Sequence, residues 1–329
     1  MGAEPPARLA TAAIPAHLVG GERGEGMSEG TKGFWAIILV CVTWGLSPIF
    51  YRQLSSVPVV EVLAHRTLWS LGFFLLLLAG QGRLRELWQA MTGPHALRAA
   101  AAALLVSSNW GLFIWAIQAG LVVQSSLGYY IFPLVTVALG LLFFGEHLGP
   151  AQWLAVAIAL LAVVILTLGL GVTPWISLGL ALSMGLYGVV KKSLPLGPVM
   201  SVAVEVALLT PLALAWLALQ ALGWLPAAWL HPLAFGGSAW VTALLVLSGL
   251  ITAVPLVLFA YAARRVALIT VGLMFYLNPT LQFLCAVLLF GEPFTRWHMI
   301  AFAMIWTALA IYSGAAWRQA RRAAPLANG

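Results

Sequence analysis

Three side chains in this sequence place a charge or a titratable ring within apolar surroundings: His65 and Arg66 in the run EVLAHRTLWS, and Glu205 in MSVAVEVALL. Inside hydrocarbon an ionisable group is unfavourable by at least ~2.5 kcal/mol at mid-depth, so it usually marks a solute pathway or meets a partner. Arg66 offers a fixed cation and His65 a ring that titrates near neutrality. Glu205 offers a carboxylate able to exchange a proton or to meet a cationic part of a solute. The plain alternatives are snorkelling of the Arg66 stem to the headgroups and simple packing of His65. At ~1.5 Å rise per residue, His65-Arg66 and Glu205 enter their helices from opposite ends, so they bracket the membrane centre instead of pairing directly.

Around these groups, proline interrupts four apolar runs away from their first turns, at Pro133, Pro211, Pro255 and Pro279. Each frees a carbonyl one turn earlier, that of Tyr129 for Pro133 and of Phe275 for Pro279, and in a membrane such a group must face protein or a wet cavity. Asn109, Trp110, Trp115, Tyr129, Tyr130, Phe275, Tyr276 and Asn278 lie beside the kinks. An aromatic set with two amides suits an amphipathic or aromatic organic solute better than a bare ion. Glu146 and Glu292 each follow a glycine at a helix end, where the carboxylate favours the positive start of the next helix.

Catalysis finds little support. The nine acids are all Glu, and no Walker sequence, HExxH or GxSxG is present. Cys41 and Cys285 sit inside apolar runs without metal-ligand spacing, so no catalytic residue, metal or cofactor is assigned.

The elements that position these residues follow from composition: 62% hydrophobic, 8% charged and a mean hydropathy of +1.00. That is far from the roughly 25% charged of soluble domains, and lipid is the implied solvent. Apolar runs of a length able to cross ~30 Å of hydrocarbon recur along the chain. They span 33–50, 60–79, 98–118, 125–144, 150–168, 173–190, 201–222, 238–260, 269–290 and 297–317. Residues 1–32 read as a disordered tail, with Met27 opening MSEGTKGFWA as an alternative natural start, and 318–329 as a second tail. Small-xxx-small spacing at Ala151, Ala155 and Ala159, and at Ser177, Ala181 and Gly185, predicts close helix contacts.

Of sixteen Lys and Arg residues, thirteen fall in the tails and alternate loops that lie on one side if the N-terminus is cytoplasmic, which makes both termini cytoplasmic in a bacterial inner membrane. This clustering between apolar runs argues against nucleic acid as a partner despite the net charge of +7. Residues 127–146 (LGYYIFPLVTVALGLLFFGE) align without gaps on 273–292 (LMFYLNPTLQFLCAVLLFGE), including Tyr130 with Tyr276 and Pro133 with Pro279. The fold class expected is all-α integral membrane: ten helices as two duplicated five-helix halves, 33–168 and 173–317. Because five is odd, the second half is inverted, an architecture that secondary transporters use for alternating access.

The segments EVLAHRTLWS (Glu61–Ser70), NWGLFIWAIQ (Asn109–Gln118), SLGYYIFPL (Ser126–Leu134), Glu205–Pro211 and TAVPL (Thr252–Leu256) resemble the RarD-type transporters, or chloramphenicol-sensitive proteins. These form part of the EamA group of the drug/metabolite transporter superfamily. The resemblance runs from Gly33 to Trp317 and implies two EamA repeats, a central cavity and permease activity without ATP hydrolysis. Where relatives read Glu-Ala-Ser-Leu-Gly-Tyr-Phe-Ile-Asn-Pro, this chain carries Gln124 and Phe132, so one titrating group and one cavity amide are replaced. The functional expectation is a proton-coupled or uncoupled carrier of a small organic metabolite or drug-like solute. Its partners are that solute and the bilayer, with a homodimer left open. A channel or a non-transporting accessory subunit is the alternative.

Overall fold

Runs of Leu, Val, Ala and Ile in a solvent without water leave the backbone two ways to satisfy its hydrogen bonds, the helix and the closed barrel. The computed structural model describes residues 29–144, 149–171, 174–263, 265 and 274–323, and all regular structure among them is helical. The helices are α1 Glu29–Gly45, α2 Ser47–Arg52, α3 Val59–Gly80, α4 Leu84–Thr92, α5 Ala96–Gln118 and α6 Val122–Phe144. They continue as α7 Pro150–Leu170, α8 Trp175–Lys192, α9 Pro198–Ala221, α10 Ala239–Ala263, α11 Leu277–Leu284 and α12 Arg296–Ala323. Among the described residues eight helical stretches are long and apolar enough to cross a membrane, and two shorter apolar ones cover Trp175–Lys191 and Leu277–Leu289. Their outer faces carry side chains such as Leu76, Leu142 and Leu168, each at least three-quarters exposed and suited to lipid (78%, 75% and 77%).

Several expected boundaries move. The first helix begins at Glu29, inside the segment read as a tail, where Glu29 accepts hydrogen bonds from Lys32 and Arg265. It stops at Gly45 and restarts as α2, with Pro48 in the first turn, where a missing N–H is tolerated. The last helix continues to Ala323, past the expected end at 317. Short amphipathic α4, with Leu87 buried and Trp88 exposed, was hidden from a search for long apolar runs.

The expected kink at Pro279 is instead a break. The chain turns at Phe275 and Tyr276, α11 starts at Leu277, and Pro279 therefore falls in its first turn. Asn278 N donates to Phe275 O at 3.1 Å, so that carbonyl finds a partner. A π-helical stretch, Cys285–Leu289, follows. Pro133, Pro211 and Pro255 do lie inside their helices.

The main packings join α6 to α8, α7 to α12, α3 to α9 and α10, α5 to α8 and α9, α1 to α10 and α11, and α6 to α11. Small residues allow this. Ser177, Ala181 and Gly185 are buried along α8, and a Cβ on Gly128 of α6 would lie 2.9 Å from Ser177 O. On α7 the buried stripe is Ala155, Ala159 and Ala162, while Ala151 is exposed, so the expected register shifts along the helix. Cys41 and Cys285 are free and buried, and the Cys41 thiol donates to Met274 O at 3.3 Å.

At the crossing of α3 and α10, Ser70 Oγ donates to Gly249 O at 3.1 Å, and a Cβ on Gly249 would stand 2.5 Å from Trp69 Cβ and 2.6 Å from Ser70 N. Backbone on one side leaves no room to yield. Gly249→Ala is therefore expected to lower unfolding stability in detergent by about 1–3 kcal/mol. The control is Gly72→Ala, where nothing stands within 4 Å of the added methyl. It should unfold at the native temperature, and equal behaviour of both variants would contradict the close crossing.

Candidate functional site

Side chains from α1, α6 with its internal Pro133, and the turn before α11 converge on a central cavity of about 570 Å³. Arg66, Asn109, Trp110, Tyr129, Phe275, Tyr276 and Asn278, all singled out in the sequence, line it, together with Pro133 and Pro279. Residues not anticipated complete the wall: Trp44, Ser47, Tyr51, Phe113, Tyr187, Thr252, Phe259 and Gln282 among them. The rings form an edge-to-face chain, with Phe113–Tyr129 at 5.7 Å, Tyr51–Phe113 at 6.1 Å and Phe259–Phe275 at 5.4 Å. Such contacts hold the wall rigid.

Arg66 does not snorkel. It is 6% exposed, and its guanidinium carbon lies 3.9 Å from the Trp110 ring centroid and 5.8 Å from that of Tyr51. Its Nε has no hydrogen-bond partner, and no carboxylate forms an ion pair with it among the described residues. The two amides behave differently from each other. Asn109 Nδ2 donates to Leu180 O and Ser183 Oγ, both at 2.9 Å, and its Oδ1 accepts from Tyr129 OH at 3.1 Å, so this amide ties α5 to α6 and α8. Asn278 Oδ1 accepts from Gln282 Nε2 at 2.9 Å, which leaves Asn278 Nδ2 facing the cavity.

Four expected pathway residues sit elsewhere. His65 stacks on Phe235 with ring centroids 4.6 Å apart, and Trp115 pairs with Trp175 at 5.4 Å on the outer surface. Tyr130 is buried between α6 and α11, sharing a 2.5 Å hydrogen bond with Thr280. Glu205, 1% exposed, is ion-paired with Lys191 and accepts from Tyr187 OH at 3.1 Å and Ser201 Oγ at 3.2 Å. Lys191 is one of the thirteen cations that fall in the tails and alternate loops of the sequence. It ends α8 and turns inward because the Glu205 carboxylate offers it a partner at the start of α9. Pro211 and Pro255 lie outside the lining.

At one end of the bundle, two carboxylates clasp backbone from distant segments. Glu292 accepts from Val122 N and Val123 N, both at 2.8 Å, and so caps α6 and not the helix that follows it. Glu61, fully buried, accepts from Ala234 N at 2.8 Å and Phe235 N at 3.3 Å, with His231 Nδ1 3.6 Å from its other oxygen. Glu61 enters the sequence analysis only as the start of EVLAHRTLWS, although it shares a helix face with His65 four positions on. Glu146, the repeat counterpart of Glu292, lies outside the described residues.

A bundle of membrane-crossing helices around an aromatic-lined cavity, with Arg66 in its wall, defines a polytopic membrane protein. The chain belongs to the EamA-like transporter family, in its RarD group: the family model matches residues 31–168. It is 43% identical over 296 residues to "Uncharacterized transporter PA0485" of Pseudomonas aeruginosa, covering 88% of this chain and 96% of that protein. To "Protein RarD" of Streptomyces exfoliatus it is 44% identical over 283 residues, covering 85% of this chain and 87% of that one. A solved crystal structure of an 18% identical protein matches with a TM-score of 0.54 over 86% of this chain and 96% of its own, a likeness of fold alone. This is a multi-pass protein of a bacterial inner membrane, and the relatives bearing names of function are transporters, not enzymes.

The Glu205–Lys191 pair generates a test. Glu205→Gln leaves a mostly buried ammonium without its counter-charge, and thermal unfolding in detergent should show a loss of about 1–3 kcal/mol. Adding Lys191→Met should recover at least half of it. A double variant no better than the single one would contradict the pairing.

Proposed function

We propose that the chain is a secondary carrier that moves a small amphipathic organic solute across the cytoplasmic membrane by alternating access. Its halves, 33–168 and 173–317, act as two inverted five-helix repeats with ten crossings and both termini cytoplasmic. One observation carries the reading: the cavity wall is built from residues that correspond under the sequence duplication. Val106 and Thr252, Phe113 and Phe259, Tyr129 and Phe275, Phe132 and Asn278, and Pro133 and Pro279 all line it, each pair separated by 146 positions. A cavity shared in this way is what two equivalent halves need in order to rock about a common solute.

The packing supports the same arrangement. Exchanging each helix for its counterpart turns the α6–α8 contact into α1–α11, α5–α8 into α1–α10, and α3–α10 into α5–α9, while α3–α9, α6–α11 and α7–α12 join counterparts directly. Inversion is supported by the cluster in which Phe74 and Leu78, late in α3, meet Met200, Val202 and Ala203, early in α9. Gly169, late in α7, likewise meets Trp297, early in α12. The similarity to an uncharacterised transporter of Pseudomonas aeruginosa also favours a carrier.

Reconstitution tests the proposal. Proteoliposomes loaded with an unlabelled panel of amino acids, carboxylates, nucleosides and sugars should take up the matching labelled solute by saturable counterflow. Acceleration by an imposed pH gradient would assign proton coupling. Flux that is linear in concentration and indifferent to solute on the far side would favour a channel, and no flux at all an accessory subunit.

A further inference from the structure

We infer that the solute held in the cavity is an organic anion, an aromatic or amphipathic carboxylate whose charged group meets Arg66; this rests on reading the cavity as the solute site of a carrier. Arginine stays protonated in proteins, so Arg66 brings a full positive charge to a wall that is otherwise largely aromatic and aliphatic. Partner carboxylates are found elsewhere, with Glu61 on the backbone of Ala234 and Phe235 and Glu205 on Lys191. The faces of Trp110 and Tyr51 stabilise the guanidinium only in part, because a ring quadrupole offsets a fraction of a unit charge.

An isolated charge taken out of water is strongly unfavourable, and a buried cation with no ion-paired carboxylate among the described residues is compensated when a ligand brings one. The planar guanidinium suits a carboxylate, which it can grip through two parallel N–H donors. Its Nε is buried without a hydrogen-bond partner, and the residue itself lines the cavity. Asn278 Nδ2 supplies a further donor in the same wall, since its Oδ1 is already engaged by Gln282. The rings of Phe113, Tyr129 and Phe275 give the remainder of such a molecule apolar surface of matching shape. A bare inorganic anion would satisfy Arg66 and leave this surface unused, and a cationic solute would meet repulsion.

The test compares molecules that differ in charge and little else. Purified native protein in detergent is titrated with phenylacetate, indole-3-acetate and naphthalene-2-acetate. The corresponding amides and primary amines, and sodium chloride, are titrated in parallel, and binding is read by thermal shift and calorimetry. At least one carboxylate should bind about tenfold or more tightly than its amide, with the amine weaker still and chloride producing no saturable response below the same concentration. Arg66→Gln should erase the preference for the carboxylate over the amide, and Arg66→Lys should keep part of it. The native comparison stands by itself if Arg66→Gln does not fold.

Binding of an amide or amine equal to that of its carboxylate overturns the inference, as does a saturable chloride response equal to the best carboxylate, or no response to any carboxylate. Counterflow in proteoliposomes separates the two claims. An amide or amine that exchanges while its carboxylate does not would overturn the anion and leave the carrier standing. Carboxylate binding without counterflow of that carboxylate or any other solute would support the anion site and overturn the carrier.

Discussion

Within a bilayer no water is available to rescue a backbone N–H or C=O, so every interruption of a helix must be repaired by protein. In this chain the repairs come from far along the sequence. Glu292 closes the open N–H groups of Val122 and Val123 at the start of α6, and Glu61 does the same for Ala234 and Phe235 ahead of α10. The Cys41 thiol on α1 reaches the carbonyl of Met274 where the chain breaks before α11. Because the partners of each of these contacts lie in opposite halves of the chain, the contacts also tie the halves together.

That arrangement bears on where open space and charge are found. A continuous helix at α1 or α11 would fill the centre with backbone, whereas the turns at Leu46 and at Phe275–Tyr276 hold back the helix ends and leave about 570 Å³ between them. Into that space the sequence places mainly aromatic surface and one guanidinium. The clasps at Glu61 and Glu292 use carboxylates on backbone N–H groups, charge-assisted contacts stronger than neutral ones. Arg66 is held differently, against the rings of Trp110 and Tyr51 in the cavity wall.

Much of this was legible in the residues. Apolar run length located the membrane helices, and the duplicated Tyr-x-x-Pro positions pointed to the two segments that line the centre. Arg66 stood out because a charge amid Leu and Ala has few reasons to persist. What stayed hidden depended on contacts between distant segments. Asn109 looked like a cavity amide, and its polar atoms prove to be engaged by Leu180, Ser183 and Tyr129. Glu205 looked like a free carboxylate until Lys191, at the far end of another helix, turned toward it. Pro279 was read as an interior kink because apolar composition runs on through Phe275 and Tyr276, whereas the helix actually begins just before it. Phe132, which replaces an amide expected from the family pattern, lines the cavity together with Asn278, the residue aligned with it.

The central claim is that this shared cavity opens to each side of the membrane in turn. Met184 on α8 lines the cavity, and Cys41 and Cys285 are the two native cysteines, so a Met184→Cys protein carrying Cys41→Ala and Cys285→Ala offers a single reporter thiol. Membrane-impermeant maleimide applied to the outside of intact cells, or to inverted vesicles, measures its access from each side. The account predicts labelling from both sides, with a saturating carboxylate solute slowing both. Labelling from one side only, under every condition, would contradict it.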